Sequence, residues 1–506
     1  MIKLNYRKKI IIIGAGVAGL VAGCYAQMNG FESHIFEKEP HAGGLCASWK
    51  IEDLTIPTAL YFFLLGNTPS TNLYNLWTEL LPIEEFSFIT PPYFFVTEYT
   101  NFPPCFFPTS LEDLGQYLLQ RAPQDKLLIQ EMLSGIQTFI EYELPIDRAY
   151  ARAKFHQKWH QLINQFPLLL ATQKWANITV KEWANSMQSV LLAQDILQMA
   201  SPESAMLYPL ALLAYAHQRA VGYLIGGGTK LIQALQNQYM TLGGNLHLNT
   251  EVKHIRIRSK KAVAVGLGKQ QYFAADYIVA CCDLYHLYRI LLQGEYFSPK
   301  IAAQLENFKP ATPMLLIMMG IKKNSFNLPF TLLGYNLQLT NPIFSSPNTL
   351  VHYLKLHSLA HDPTLTPSEY FLLTVQLPTE FTYWHQLYHN NKRQYYKQKQ
   401  SLIAQVILAL EHRFPGFANH LVFSEAVTPA AFWRHTYNFQ GSYAGWCPTP
   451  TGLRQYLNRT VEEIENLYIA GHWFQAGGGI PAAAITAQNT IQAICAKEKL
   501  AFGVNA

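Results

Sequence analysis

The sequence predicts an α/β fold organised around a buried parallel sheet, and three observations carry that expectation. Four consecutive isoleucines, Ile10 to Ile13, run into Gly14-x-Gly16-x-x-Gly19 and then into Leu20, Val21 and Ala22 at helical spacing. Ser33 to Phe36 reads as a second strand that ends in an acid, Glu37, and a second glycine pair, Gly43-Gly44, follows it. Near the other end, a strand pattern over Asn466 to Ala470 leads through Gly471 and Gly477-Gly478-Gly479 to Pro481, after which no proline or glycine occurs up to Lys499.

Composition sets the bounds within which these elements are read. At 506 residues the chain is long enough for two or more domains, and 49% hydrophobic against 14% charged residues excludes a disordered tail or a long coiled coil. The net charge of +5 is too small over this length to indicate a nucleic-acid partner. Seven cysteines, an odd number without a C-x-x-C pair, read as free thiols in a reducing, cytoplasmic compartment and give no zinc site; no metal is expected.

The opening segment has a competing reading. Lys3, Arg7, Lys8 and Lys9 ahead of an apolar run to Cys24 imitate a signal peptide, and Val21 to Cys24 imitate a lipoprotein cleavage site. A strand, a glycine turn and a helix account for every residue of that run, so we read it as a Rossmann-type dinucleotide-binding unit. In it Gly14 permits the tight turn, Gly16 lets the backbone approach a pyrophosphate, and Gly19 lets the helix pack on the sheet. Ala15, Val17 and Ala18 complete the turn and bring the helix N-terminus to the phosphates. Glu37 would accept from ribose hydroxyls and repel a 2′-phosphate, which favours FAD or NAD over NADP, with Lys38 beside it. Gly43, Gly44 and Leu45 form a second loop able to present backbone amides, and the helix that begins near Ile480 and Pro481 would face a reduced flavin with its positive end.

Several colinear segments resemble the phytoene desaturase-like FAD-dependent oxidoreductases, the carotenoid desaturases and isomerases of the amine oxidase superfamily. They are IIIIGAGVAGLVAG from Ile10, FEKEPHAGGLCASWK from Phe36, YLIGGGTKLIQAL from Tyr223 and GGNLHLNTEVKHI from Gly243, followed by ADYIVAC from Ala275, VTPAAFWRHTYNFQGSYAGW from Val427 and LYIAGHWFQAGGGIPAAA from Leu467. The resemblance implies FAD, with Val252 at the adenine through its backbone and Gly471 and Ile480 lining the flavin end. Two residues depart from the pattern: Leu45 stands where many members carry an arginine, and His472 where many carry an acid. It also implies a discontinuous Rossmann-type FAD-binding domain, 1–95, 220–300 and 425–506, with an inserted α+β substrate domain, 96–219 and 301–424.

The activity so implied is C–H dehydrogenation of a lipophilic polyene or isoprenoid substrate. The alternatives are a redox-neutral cis-trans isomerase using reduced FAD and a non-enzymatic lipid escort of the same fold. No second glycine fingerprint offers a nicotinamide site, so a diffusible acceptor, oxygen or a quinone, would reoxidise the flavin. No catalytic side chain is identified; His472 is the one titratable residue placed near the flavin. Tyr61, Phe62, Phe63, Tyr93, Phe94, Phe95, Phe102, Phe106 and Phe107 are candidates for an apolar channel, with core packing the stronger reading for most. From Arg148 to Lys181 six basic residues and no acid interleave with aromatics, which suits either a solvated face or an anionic membrane surface on the cytoplasmic side. The apolar run Ala205 to Ala216 is too short to span a bilayer and reads as a core helix. Lys253 to Val265 and Gln271 to Val279 read as antiparallel strands.

Overall fold

The computed structural model describes residues 7–51, 54–57, 62–64, 68–69, 71–142, 166–268, 271–323, 327–366, 369–455 and 457–504. A five-stranded sheet runs in the order Leu467–Ile469, Tyr277–Ala280, Lys9–Ile13, Glu32–Phe36, Asn245–His247, and every pair in it is parallel. The isoleucine run explains why its central strand is covered on both faces. Ile10 and Ile12 enter one core and Ile11 and Ile13 the other, as the two-residue period of a strand requires.

The helices Val17–Met28, Gly227–Thr241 and Gly479–Lys497 cover one face. The three-stranded antiparallel sheet His254–Arg258, Lys261–Gly266 and Tyr272–Ala274 contributes Ile255, Ala262 and Val265 to the core on the other. The second antiparallel strand expected over Gln271 to Val279 is therefore two strands. Tyr272–Ala274 pairs antiparallel, whereas Tyr277–Ala280 is buried at all four positions and joins the parallel sheet. Alternation over the joined segment hides that change of partner.

A seven-stranded sheet lies beside the first, ordered Leu421–Val427, Met314–Lys322, Tyr370–Pro378, Thr349–Ser358, Tyr335–Ser346, Tyr93–Glu98 and Cys105–Pro108. Its pairs are antiparallel except for Tyr335–Ser346 with Tyr93–Glu98. The expected boundary between 95 and 96 thus falls inside a strand, and Leu421–Val427, straddling the expected boundary at 425, also belongs to this sheet. One face packs on the helices Phe381–Asn390 and Lys392–Arg413 through Leu315, Ile317, Leu354, Leu356, Val375 and Leu377.

A helical layer contains Leu111–Arg121, Lys126–Glu141, Phe166–Asn177, Val180–Asn185, Val190–Ile196 and Leu207–His217. Phe94, Phe95 and Phe107 are fully buried within this layer's core and Phe63 within the core of the parallel sheet, while Phe102 and Phe106 are exposed. Core packing accounts for the buried members, and Tyr61 lies outside the described residues. Leu207–His217 is the core helix expected of the apolar run, with Pro209 in its first turn. Of the basic stretch, Arg148, Arg152, Lys154 and Lys158 lie outside the described residues, and Lys174 is ion-paired with Glu131. Among the described residues no helix is long and apolar enough to cross a membrane.

Candidate cofactor site

The C-terminal ends of the parallel strands open into one elongated cleft of about 1140 Å³, its mouth included. This is the crevice in which parallel α/β sheets bind ligands. The first strand ends at Ile13, and Gly14 turns the chain with φ 100° while its N–H donates to the Phe36 carbonyl at 2.8 Å. Gly16 caps the helix Val17–Met28 without a side-chain partner, and Leu20 makes the first intrahelical bond, to Gly16, at 3.0 Å. The amides of the first turn therefore have no intrahelical acceptor and face the cleft end. A Cβ on Gly16 would meet nothing closer than the Gly43 carbonyl oxygen at 4.0 Å, so this glycine leaves an open cradle. Gly19 differs, because a Cβ there would lie 1.9 Å from the Gly14 carbonyl oxygen.

Two further segments complete the cradle. Gly43 donates to the Ala15 carbonyl at 2.9 Å and adopts φ 139°, which holds Gly43, Gly44 and Leu45 against the first turn. Gly471, with φ 136° and open space for 4 Å around the point a Cβ would occupy, leads to the helix Gly479–Lys497, whose Ile480 faces the same cleft. Gly14, Gly16, Val17, Ala18, Glu37, Lys38, Gly43, Gly44, Leu45, Val252, Gly471, His472 and Ile480 all line the cleft. Ala15 and Gly19 sit behind it. Ala15 is buried and donates its N–H to Glu37 Oε2 at 2.8 Å, and Gly19 serves the close approach of helix and turn.

Electrostatics vary along the cleft. Glu37 is buried, and each of its oxygens accepts a backbone N–H, from Ala15 and from Glu39 at 3.0 Å. Burial pushes its carboxyl above the ordinary value despite those bonds and the Lys38 charge. Hydroxyl donors at its remaining lone pairs would stabilise the charged form. Burial brings His286 and His472 down to about 4, so both rings are neutral near pH 7, and His472 Nε2 is buried without a partner among the described residues. Burial pushes the Cys46 and Cys281 thiols up to about 12 and Cys282 further, so the cleft wall carries thiols, not thiolates.

Sequence reasoning did not assign roles to the residues that close the cleft from the far side. Thr436, Tyr437, Asn438 and Tyr443 line it, and the segment is pinned by Trp473 Nε1 donating to Asn438 Oδ1 at 2.9 Å and Phe439 N–H donating to Asp283 at 3.0 Å. Tyr437 donates to Glu251 at 3.1 Å and stacks on His286 at 4.5 Å. The aromatic density of residues 432 to 446 was the available signal, but residue pairs so far apart in sequence show no local pattern.

The glycine cradle, the buried acid and the two helix ends that meet in the same cleft fit a dinucleotide such as FAD. Comparison with known proteins agrees. Residues 17–495 match the family described as flavin containing amine oxidoreductase. The chain is 22% identical to a lycopene-forming phytoene desaturase of Pseudescherichia vulneris, covering 96% of this chain and 98% of that one. It is 25% identical to the chloroplastic prolycopene isomerase of Arabidopsis thaliana over 56% of this chain and 47% of that one. The fold is similar to that of cyclohexylamine oxidase from Brevibacterium oxydans IH-35A, with a TM-score of 0.59, 15% identity and coverage of 98% and 100%. The chain belongs to the flavin-containing amine oxidoreductase family and is an FAD-dependent oxidoreductase similar to the carotenoid desaturases.

Proposed function

We propose that the protein dehydrogenates a lipophilic polyene or isoprenoid substrate at the flavin end of this cleft. The observation that carries the reading is the cleft wall itself. Leu45 and Tyr443 line the cleft and also pack against an apolar cluster of Leu316, Met318, Leu372 and Val427 from the second sheet and Phe432 from the helix Pro429–Thr436. A substrate reaching the cofactor from that side meets hydrocarbon. The carotenoid-acting relatives support the same substrate class.

In this reading the amides from Gly16 to Ala18, those of Gly14 and Ala15 being bonded to Phe36 and Glu37, hold the pyrophosphate and Glu37 the ribose. Val252 holds the adenine side, Gly43 to Leu45 with Gly471 the ribityl region, and Ile480 the flavin end. Bound FAD supplies the two-electron acceptor that dehydrogenation needs, and a diffusible oxidant, oxygen or a quinone, completes the electron balance. The chain's own contribution is positioning and exclusion of water. The apolar wall orients a C–H bond, and neutral His472 offers a hydrogen bond to the cofactor without competing for a proton near pH 7. A membrane face on the cytoplasmic side is the natural source of such a substrate.

Anaerobic mixing of FAD-loaded protein with phytoene tests the proposal. Dehydrogenation gives longer-wavelength polyene bands together with loss of the oxidised-flavin band. A polyene shift that requires chemically reduced flavin and leaves it reduced would assign the isomerase reading instead, and no change with phytoene and related polyenes on either oxidised or reduced protein would sink both.

A further inference from the structure

The second sheet carries a charge that the cofactor site does not use. Its register aligns one lateral row on a single face: Val427, Leu316, Gln376, Lys355, Asn336 and Thr97, each directly opposite the next. Val427 and Leu316 belong to the apolar cluster that packs against Leu45 and Tyr443 of the cleft. On the next strand, at Gln376, the row turns polar. With strands about 4.8 Å apart, Lys355 stands roughly 10 Å across the sheet from Leu316. This face is opposite to the one that packs on the helices Phe381–Asn390 and Lys392–Arg413, since Leu354 and Leu356 take that side. Tyr353, two residues before Lys355 and so on the same face, packs on the helical layer.

Lys355 is a half-buried cation without a counter-charge among the described residues. Among the described residues it makes no ion pair, and burial alone acts on its ammonium, bringing it down to about 8. Its side chain is not sealed, for part of its surface stays accessible. Gly334 makes room for its stem, because a Cβ there would lie 2.9 Å from Lys355 Cγ. Beside it Asn336 is buried, donates to Thr97 Oγ1 at 3.3 Å and, among the described residues, leaves its Oδ1 without a partner. An unpaired ammonium drawn partly out of water favours an anionic partner, and the neighbouring Asn336 amide, whose Oδ1 is unmet as it stands, has a second orientation that offers a donor instead.

We propose that Lys355 anchors a carboxylate at one end of a lipophilic substrate, whose apolar chain runs across this face to the flavin end of the cleft. The inference rests on the lipophilic-substrate reading above and narrows it to substrates with an anionic end. An Asn336 amide turned to present its Nδ2 would give the carboxylate a second donor.

The test measures binding of all-trans-retinoic acid and of its methyl ester to FAD-loaded protein by tryptophan quenching. Wild type should bind the acid at least tenfold tighter than the ester. Lys355→Met should bring the acid to the level of the ester while leaving ester affinity and flavin content unchanged, and Lys355→Arg should retain the preference. Equal binding of acid and ester by wild type, or a preference that survives in Lys355→Met, overturns the assignment of Lys355 and leaves the lipophilic substrate standing. Binding of neither compound overturns both.

Discussion

Two glycines three residues apart should respond in opposite ways to the same added methyl group. Gly16 has φ −75° and ψ −175°, a conformation open to any L-residue, and its Cβ would clear the nearest protein atom by 4.0 Å. Gly16→Ala should therefore leave the FAD-free protein as stable as wild type or about 0.4–1 kcal/mol more stable, because alanine has less unfolded-state freedom to lose. The same methyl occupies the cradle, so FAD affinity should fall about 100-fold or more, about 2.8 kcal/mol. At Gly19 the methyl would sit 1.9 Å from a backbone oxygen that can yield only if the turn opens. Gly19→Ala should cost the fold itself at least the roughly 1–3 kcal/mol typical of overpacking. Thermal unfolding of flavin-free protein and FAD titration separate the two effects. Wild-type FAD affinity in Gly16→Ala, or loss of FAD only in step with loss of fold, would refute the cradle argument.

Two further predictions use pH. Lys355 titrates near 8 in the folded protein against 10.5 ordinarily, so the unfolded chain binds more protons between those values and stability should rise as pH climbs from 8 to 10.5. Lys355→Met should be more stable than wild type by up to about 3 kcal/mol near pH 7, an advantage that vanishes above pH 10.5 in chemical denaturation. Asp283 is buried, accepts from the His286 and Phe439 amides, and titrates near 7 against 3.8 ordinarily because burial outweighs those bonds. Here the folded state binds more protons, so stability should fall as pH rises from 4 to 7, and Asp283→Asn should flatten that slope. An unchanged slope in the variant would remove Asp283 from the account.

The cofactor end of the molecule was legible because its determinants are local. Ile10 to Gly19 encode strand, turn and helix within ten residues, and Glu37 follows at the end of the adjacent strand. The glycines at 14, 43, 44 and 471 all adopt positive φ. What stayed hidden depends on pairing. Nothing near Tyr277 shows that it leaves an antiparallel run for a parallel sheet, and nothing near Lys355 shows that Gln376 and Asn336 flank it. The cleft's far wall, Tyr437 on His286 and Trp473 on Asn438, joins residues separated by dozens to hundreds of positions. Phe94 and Phe95, a channel candidate in the sequence, are core because the strand Tyr93–Glu98 is covered by the helical layer.

This chain is a flavoprotein, and the cleft above the parallel sheet is where FAD would sit. The most direct measurement is the visible spectrum of purified protein, followed by denaturation and identification of the released flavin in wild type and in Gly16→Ala. Wild type should show an oxidised-flavin spectrum and release stoichiometric FAD, and the folded variant should release little or none. A colourless wild-type protein that takes up no added FAD, or equal FAD in both proteins, would contradict it.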